Sequence, residues 1–441
     1  MKKALILGYG TSGKGSAKLL INLGYEVYFF DESVERTGDF VNLAGRDCWD
    51  VVQDKDLIVI SPGVSKNHSI VEYAEKCGIE IIGEIELGYR HCKGDVIAVT
   101  GTNGKTTTTL LIKRILTMAG IDSKALGNIG ESFAGEMADD DGQDKVLVLE
   151  VSSYQLESVK TFRPRFALCL NVTPDHLQRH KTMAIYTAMK QRIFCNQTQS
   201  DYAILNYDCD VTRNMGDTVR GQFYYYSLKH RVKGVYVADG EIYFFDQEKH
   251  RVCSVSDTLI ESDYNLSNVL AAITVAKLMN IDNETIVKAI STFEMPKYRR
   301  QYIGDINGVK FFNDSKATNF DSTINACKAV NGSVALIIGG YDKGISYQPF
   351  FDALPQNVGF IAVCGDNCDR IMEFLPLVHS YHFVRCNQLK RAATLALESG
   401  MDNVLFSPTT SSFDRYSGYE ERGEHFDRIF KELLSEKGKK S

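Results

Sequence analysis

Asp95-Val96-Ile97-Ala98-Val99-Thr100-Gly101-Thr102-Asn103-Gly104-Lys105-Thr106-Thr107 is the stretch on which the reading of this 441-residue chain turns. The run 96–99 is short, apolar and followed by glycine, as a buried parallel strand is. A helical pattern extends from Lys105 to residue 119. Between them, glycines let the backbone come close to a phosphate chain, and amides at a helix N-terminus favour its negative charge. Lys105 is placed to reach the β and γ oxygens, and the Thr106 hydroxyl to bind Mg2+. The general form G-x-x-x-x-G-K-[ST] is met except at its first glycine, where Val99 stands. The loop predicts ATP binding by Gly101, Thr102, Asn103, Gly104, Lys105, Thr106 and Thr107.

Working outward, apolar runs at 4–7, 27–30, 57–60 and 79–82 are bounded by Gly, Asp or Pro, with helical patterns between the first two and the last two. They predict a small doubly wound parallel sheet over 1–93. Strands at 146–151, 166–170 and 202–205, a β-rich stretch at 235–245, and helices at 264–278 and 284–292 complete a central unit over 94–298. A hairpin turning at Asn307-Gly308 opens a last unit over 299–441, where strands at 334–338, 360–363 and 403–406 alternate with helices. The expected fold is α/β in three domains: a small Rossmann-like N-terminal domain, a central P-loop mononucleotide-binding domain and a C-terminal Rossmann-like domain. Ligand sites are expected in the clefts between them.

The bulk numbers exclude several classes. Hydrophobic residues make up 44% and charged residues 24%, ordinary for a globular protein with a sizeable core. A net charge of −6 gives no basic field to draw nucleic acid or acidic lipid. The 11 cysteines are odd in number and form no CxxC pair, which suits reduced thiols in the cytoplasm. The opening MKKALILGYG reads as a first strand rather than a signal peptide, and no apolar run is long enough for a membrane helix.

Other residues could handle charge. Gly8-Tyr9-Gly10-Thr11-Ser12-Gly13 fits G-x-G-x-x-G, and Asp31 ends the next strand. That pattern suits a dinucleotide, another nucleotide-like ligand, or a tight turn with no ligand. Glu150 ends the strand after the phosphate loop, where either a Mg2+ ligand or a helix-capping acid belongs. His176, in Asn171-Val172-Thr173-Pro174-Asp175-His176, stands at another strand end and suits a metal or a structural role. Lys190 on the next helical stretch would ordinarily be a solvated charge. Asn265 and Asn268 could cap a helix or bind adenine and ribose. In the last unit, the loops 313–319, 339–344 and 407–414 offer lysines and hydroxyls at one sheet edge, which suits a carboxylate-bearing substrate.

Together TGTNGKTTT, LEVSSYQLE, NVTPDH and the Asn265/Asn268 pair resemble the Mur ligases and their folylpolyglutamate synthase relatives. NDSKATN, GGYDKG and SPTTSSFDRYSGYEERGEHF resemble the D-glutamate-adding members of the Mur ligase family. The resemblance covers all three units. It implies a cytoplasmic, ATP-dependent ligase of peptidoglycan precursor synthesis. The enzyme would join D-glutamate to UDP-N-acetylmuramoyl-L-alanine through an acyl phosphate, as a monomer that binds neither nucleic acid nor membrane. Gly10, Thr11, Ser12 and Asp31 would lie near the uridine and Asn128 would touch the same substrate. Thr106 and Glu150 would hold a first Mg2+, and His176 and a carbamylated Lys190 a second. Lys105, Asn265, Asn268, Arg299, Asp314 and Lys316 would serve ATP and the transferred phosphate. Thr318, Lys343, Ser412, Phe413 and Tyr419 would surround D-glutamate. The competing readings are another ligase of this superfamily, a nucleotide-binding protein without catalysis, and a dehydrogenase.

Overall fold

The computed structural model of the chain describes residues 1–34, 40–258, 263–374 and 381–438. The chain divides into two compact units, Met1–Phe293 and Glu294–Ser441. The first carries two sheets and the second carries one.

The N-terminal sheet contains β1 (Lys3–Leu7), β2 (Glu26–Phe30), β3 (Val41–Asn42), β4 (Leu57–Ile60) and β5 (Glu80–Gly83). Its strands are all parallel, in the order β3-β2-β1-β4-β5. β1 and β4 are buried almost throughout, because helices cover both faces. Leu5 and Leu7 pack on one side, while Ala4 and Ile6 pack on the other. The G-x-G-x-x-G turn leads into the helix Thr11–Asn22. A side chain at Gly13 would place its Cβ 2.2 Å from the Gly8 carbonyl oxygen. That requirement alone demands glycine there, with or without a ligand.

The second sheet of this unit contains β6 (Asp95–Thr100), β7 (Ser123–Gly127), β8 (Val146–Glu150), β9 (Phe166–Cys169), β10 (Tyr202–Asn206), β11 (Gln222–Ser227), β12 (Gly234–Ala238), β13 (Glu241–Phe245) and β14 (Lys249–Ser254). Their order is β14-β13-β12-β11-β10-β9-β6-β8-β7. β6 therefore sits between β8 and β9, and the chain leaves it at the point where the strand order reverses. Loops at such a point open a crevice at the carboxyl ends of the strands, where ligands bind in open α/β sheets. The stretch 235–245, read as one β-rich segment, is two antiparallel strands. The helices Asp263–Leu278 and Asn283–Ser291 pack with Lys105–Met118 over this sheet.

The C-terminal unit contains β15 (Gln301–Ile306), β16 (Val309–Asn313), β17 (Val334–Ile338), β18 (Val358–Val363), β19 (His382–Arg385) and β20 (Asn403–Phe406). Their order is β15-β16-β20-β17-β18-β19, and only the β15–β16 pair is antiparallel. That hairpin turns through Asn307 (φ 51°) and Gly308 (φ 84°), the two positive angles of a tight turn matched to strand twist. The loops after β16, β20 and β17 leave one sheet edge side by side.

Candidate active site

The phosphate loop is built from both flanking strands. The Thr102 amide donates to the Asn171 carbonyl at 3.0 Å, and the Asn103 amide donates to Asn171 Oδ1 at 2.9 Å. Asn171 Nδ2 returns a bond to the Asn103 carbonyl at 3.1 Å. Gly104 holds φ 86°, and a Cβ there would lie 2.2 Å from Asn268 Oδ1. Glycine is therefore fixed both by backbone conformation and by the helix that lies against the loop. Lys105 starts its helix and folds back, donating to the Gly101 and Thr102 carbonyls at 2.9 and 2.8 Å.

Lys190 comes to the same point from below. It is 1% exposed, and its Nζ donates to the Gly101 carbonyl at 2.7 Å. The ring of Tyr186 lies 4.6 Å from that ammonium, and Tyr186 Oη is 3.2 Å from Thr102 Oγ1. Burial, and then the charge of Lys105, push the Lys190 amine down to about 7. The reading of Lys190 as a solvated charge is thus overturned: it is buried under the loop, against the Gly101 carbonyl and the Tyr186 ring.

Glu150 is buried at the end of β8. Its Oε1 accepts from Asn128 Nδ2 at 2.8 Å, and its Oε2 is buried without a partner. The helix-capping alternative fails here. Ser152 caps the helix Ser153–Leu156 and forms a capping box with Gln155, so the cap is not Glu150. Among the described residues, neither asparagine of the pair caps a helix end with its side chain. Asn268 Oδ1 accepts from Thr108 Oγ1 at 3.4 Å, while Asn268 Nδ2 and Asn265 Oδ1 are buried without partners. Thr107 and Thr173 add two more buried, unpartnered hydroxyls.

His176 occupies a left-handed turn (φ 56°) before the helix Leu177–His180. Its Nδ1 is 2.9 Å from Tyr154 Oη, and its Nε2 lies 3.6 Å from Asp175 Oδ2. His180 packs against the same Tyr154 and Tyr186 rings as His176, but it is buried, with Nε2 3.0 Å from Ser153 Oγ. Among the described residues no group of three or more His, Cys, Asp or Glu gathers. The donors present are one bare carboxylate oxygen and hydroxyls beside a phosphate loop. They fit Mg2+, which keeps waters and takes substrate phosphates rather than an all-protein cage.

At the N-terminal sheet, Asp31 Oδ2 accepts from the Tyr9 amide at 2.7 Å, and Oδ1 accepts from the Ser33 amide and hydroxyl at 2.9 and 2.6 Å. A cavity of about 360 Å3 lies beside it, lined among others by Gly8, Phe30, Ser33, Gly63 and His68. Gly10, Thr11 and Ser12 stand at the start of the first helix and are not among its lining residues.

In the C-terminal unit, Asp314 is buried. Ser407 Oγ donates to its Oδ2 at 2.8 Å, and the Arg300 amide donates to its Oδ1 at 2.9 Å. Burial raises its carboxyl to about 6. Arg300 Nη1 donates to the Ala329 carbonyl at 3.0 Å, whereas Arg299 Nε is buried without a partner. Lys316 Nζ donates to Tyr419 Oη at 3.0 Å, and Lys343 Nζ donates to the Thr318 carbonyl at 2.8 Å. Ser412 is buried, while Phe413 is 70% exposed.

Arg422 escaped the sequence reading. It is 2% exposed, donating to the Ser315 and Thr410 carbonyls at 2.8 and 3.0 Å, with Nη1 buried and unpartnered. It lies in the charged run Glu420-Glu421-Arg422, which looks solvated. The available signal was its spacing to Phe426, Ile429, Phe430 and Leu433, the buried stripe of the helix Tyr419–Gly438.

Comparison with known proteins agrees with this architecture. Residues 2–83 match the Mur ligase MurD-like N-terminal domain family, and residues 99–276 match the Mur ligase middle domain family. A UDP-N-acetylmuramoylalanine–D-glutamate ligase from Koribacter versatilis is 40% identical over 98% of this chain and 97% of its own. One from Caldicellulosiruptor bescii is 37% identical over 98% of each chain. A pseudomurein peptide ligase type C from Methanothermus fervidus shares the fold, with a TM-score of 0.63 at 17% identity, over 97% of this chain and all of its own. The chain belongs to the Mur ligase family, in the branch of the UDP-N-acetylmuramoylalanine–D-glutamate ligases.

Proposed function

We propose that this chain is the ATP-dependent ligase that adds D-glutamate to UDP-N-acetylmuramoyl-L-alanine, releasing ADP and phosphate. The observation that carries the reading is the set of buried, unpartnered polar atoms around the phosphate loop: Glu150 Oε2, Thr107 Oγ1, Thr173 Oγ1, Asn265 Oδ1 and Asn268 Nδ2. Such atoms are costly unless something polar completes them. A nucleotide with its metal does so.

An amine does not displace hydroxide from a carboxylate at useful rates. The substrate carboxylate therefore attacks the γ-phosphate of ATP, giving an acyl phosphate and ADP. The D-glutamate amine then attacks the acyl carbon, and phosphate leaves. All reactants of the first step are anionic. Lys105, at the mouth of the loop, offsets their repulsion and stabilises charge on the moving phosphoryl group. Thr106 and Glu150 would hold one Mg2+ and His176 a second, and bound metal would supply electrostatic stabilisation of the same kind. Lys190 is carbamylated in this reading: its buried amine gives up a proton near pH 7, and only a neutral amine adds to CO2. The carbamate would turn the cation beneath Gly101 into a carboxylate-like anion suited to the second metal.

The division of labour follows the three sheets. Residues 1–93 take the UDP part of the substrate, with Asp31 beside the cavity and Gly10, Thr11 and Ser12 at the helix start. Residues 94–298 take ATP, with Asn128 reaching the substrate. Residues 299–441 take D-glutamate through Thr318, Lys343, Ser412, Phe413 and Tyr419, while Arg299, Asp314 and Lys316 serve the phosphate. The enzyme works in the cytoplasm as a monomer. Among the described residues no helix is long and apolar enough to cross a membrane. A phosphate-release assay with ATP and UDP-N-acetylmuramoyl-L-alanine tests the reading. Release is expected with D-glutamate and not with L-glutamate; equal release with both, or none with D-glutamate, refutes it.

A further inference from the structure

A buried polar chain stands behind the glycine turn that follows β17. The Gly340 amide donates to Asn367 Oδ1 at 2.8 Å, and the Asn367 amide donates to the Gly340 carbonyl at 3.0 Å. One residue thus satisfies both polar groups of Gly340. Asn367 Nδ2 donates to Tyr347 Oη at 2.6 Å, and Tyr347 Oη lies 3.2 Å from Thr409 Oγ1. Asn367, Tyr347 and Thr409 are all buried. The bonds admit one orientation of the Asn367 amide: its oxygen must face the Gly340 N–H and its nitrogen the Tyr347 hydroxyl, whose proton then goes to Thr409.

The turn needs such a support. Gly339 has φ 118° and Gly340 φ 155°, so neither is held by ordinary backbone preference. On the opposite side the turn is laced to the loop after β20. The Gly339 amide donates to the Pro408 carbonyl at 3.0 Å, the Tyr341 amide donates to the Ser411 carbonyl at 3.0 Å, and Thr410 Oγ1 donates to the Tyr341 carbonyl at 2.7 Å. Lys343 and Ser412 lie a few residues beyond these ties. Apolar side chains in its place would leave the Gly340 N–H without an acceptor. What a satisfied polar network adds is a single arrangement.

We propose that Asn367, Tyr347 and Thr409 are positioning residues for the amino-acid substrate, fixing the 339–343 turn so that Lys343 and Ser412 meet it in one register. The inference rests on the reading of these loops as the D-glutamate subsite. The three side chains act through the turn they hold, so their effect is on the KM for D-glutamate.

The test is steady-state kinetics of Asn367→Ala, Tyr347→Phe and Asn367→Asp, with Lys343→Ala as the reference for the subsite. Asn367→Ala leaves the Gly340 N–H unsatisfied, and the KM for D-glutamate should rise about tenfold, equivalent to about 1.4 kcal/mol. The KM values for ATP and the UDP substrate should stay within about twofold and kcat within about threefold. Asn367→Asp keeps an acceptor for Gly340 and lets Tyr347 donate to the second carboxylate oxygen, so it should restore most of the loss. Tyr347→Phe, nearly isosteric, should raise the same KM about threefold and carries the test if Asn367→Ala does not fold. An unchanged KM for D-glutamate in Tyr347→Phe and in any folded Asn367→Ala, while Lys343→Ala raises it, overturns the proposal alone. So does a parallel rise of all three KM values with a falling melting temperature. An unchanged KM in Lys343→Ala overturns the subsite reading on which it rests.

Discussion

Replacing Lys190 by Met should stabilise the metal-free protein at low pH and lose that advantage as the pH rises. The Lys190 ammonium is buried and shares the Gly101 carbonyl with the ammonium of Lys105. Its amine is pushed from 10.5 down to about 7 by burial and then by Lys105. A displacement of that size disfavours the charged form in the native state by about 4–5 kcal/mol. The unfolded chain keeps this proton up to its ordinary range near 10.5. Below pH 7 both states are charged, and the native state carries the whole penalty. Between about pH 7 and 10.5 the unfolded state binds more protons, so stability rises with pH; above that range the penalty is gone. Met is unbranched and of similar length, so it fills the space of the lysine stem. It forfeits the hydrogen bond to Gly101, worth about 1 kcal/mol. The net gain at pH 6 should be about 2–4 kcal/mol, falling to zero or slightly below by about pH 10. Calorimetric melts of both proteins from pH 6 to 10, with EDTA and without CO2, measure it. The melting temperature of Lys190→Met should lie several degrees higher at pH 6 and converge by pH 10. A difference that is flat across pH, or a destabilised variant at pH 6, refutes the argument. The same variant should be inactive, since it removes the amine that the proposed carbamate requires.

Three further outcomes are expected. Gly104→Ala forces a side chain into a left-handed backbone position 2.2 Å from Asn268 Oδ1, so the dissociation constant for ADP should rise at least about tenfold by titration calorimetry; unchanged affinity would remove the close approach from the argument. Lys105→Ala should abolish ADP release while leaving the circular dichroism spectrum and melting temperature near wild type, and normal turnover would sink the phosphate-loop assignment. Tyr154→Phe deletes the hydroxyl 2.9 Å from His176 Nδ1, and with His176 as a metal ligand the affinity for Mn2+, followed by electron paramagnetic resonance, should fall about tenfold; an unaltered titration separates Tyr154 from the metal.

Strands that are buried on both faces could be read directly, whereas several strands at sheet edges could not. β1, β4, β6 and β17 are continuous apolar runs because helices cover both their faces. β7 (SKALG), β14 (KHRVCS) and β19 (HFVR) lie at sheet edges, where charge is tolerated and even useful, and their sequences show no strand period. The phosphate loop was legible because its chemistry is local: glycines, lysine and helix start are consecutive. The alternatives at Glu150 were not separable in sequence. Ser152 and Gln155 remove the capping alternative only once their side chains are seen to close the capping box.

The two buried cations show where such reading can be extended. Lys190 and Arg422 both stand in runs that look solvated, MKQR and EERGE. Their burial is caused by segments far away in sequence: Gly101 under one, Ser315 and Thr410 against the other. Yet each lies on the apolar stripe of its own helical stretch. Tyr186, Lys190 and Phe194 follow at intervals of four, all buried, with Ile193 beside them. Arg422, Phe426 and Phe430 repeat the pattern with Ile429 and Leu433. A cation on the face that an amphipathic helix turns to the core cannot reach water without unseating that face. It must find a carbonyl or carboxylate partner, or give up its proton. Arg422 does the first, holding two carbonyls, because a guanidinium does not deprotonate readily. Lys190 does both, holding one carbonyl with its amine displaced to about 7. The residue type therefore selects the outcome that the stripe forces: arginine keeps its charge and takes carbonyl partners, and lysine can give up its proton.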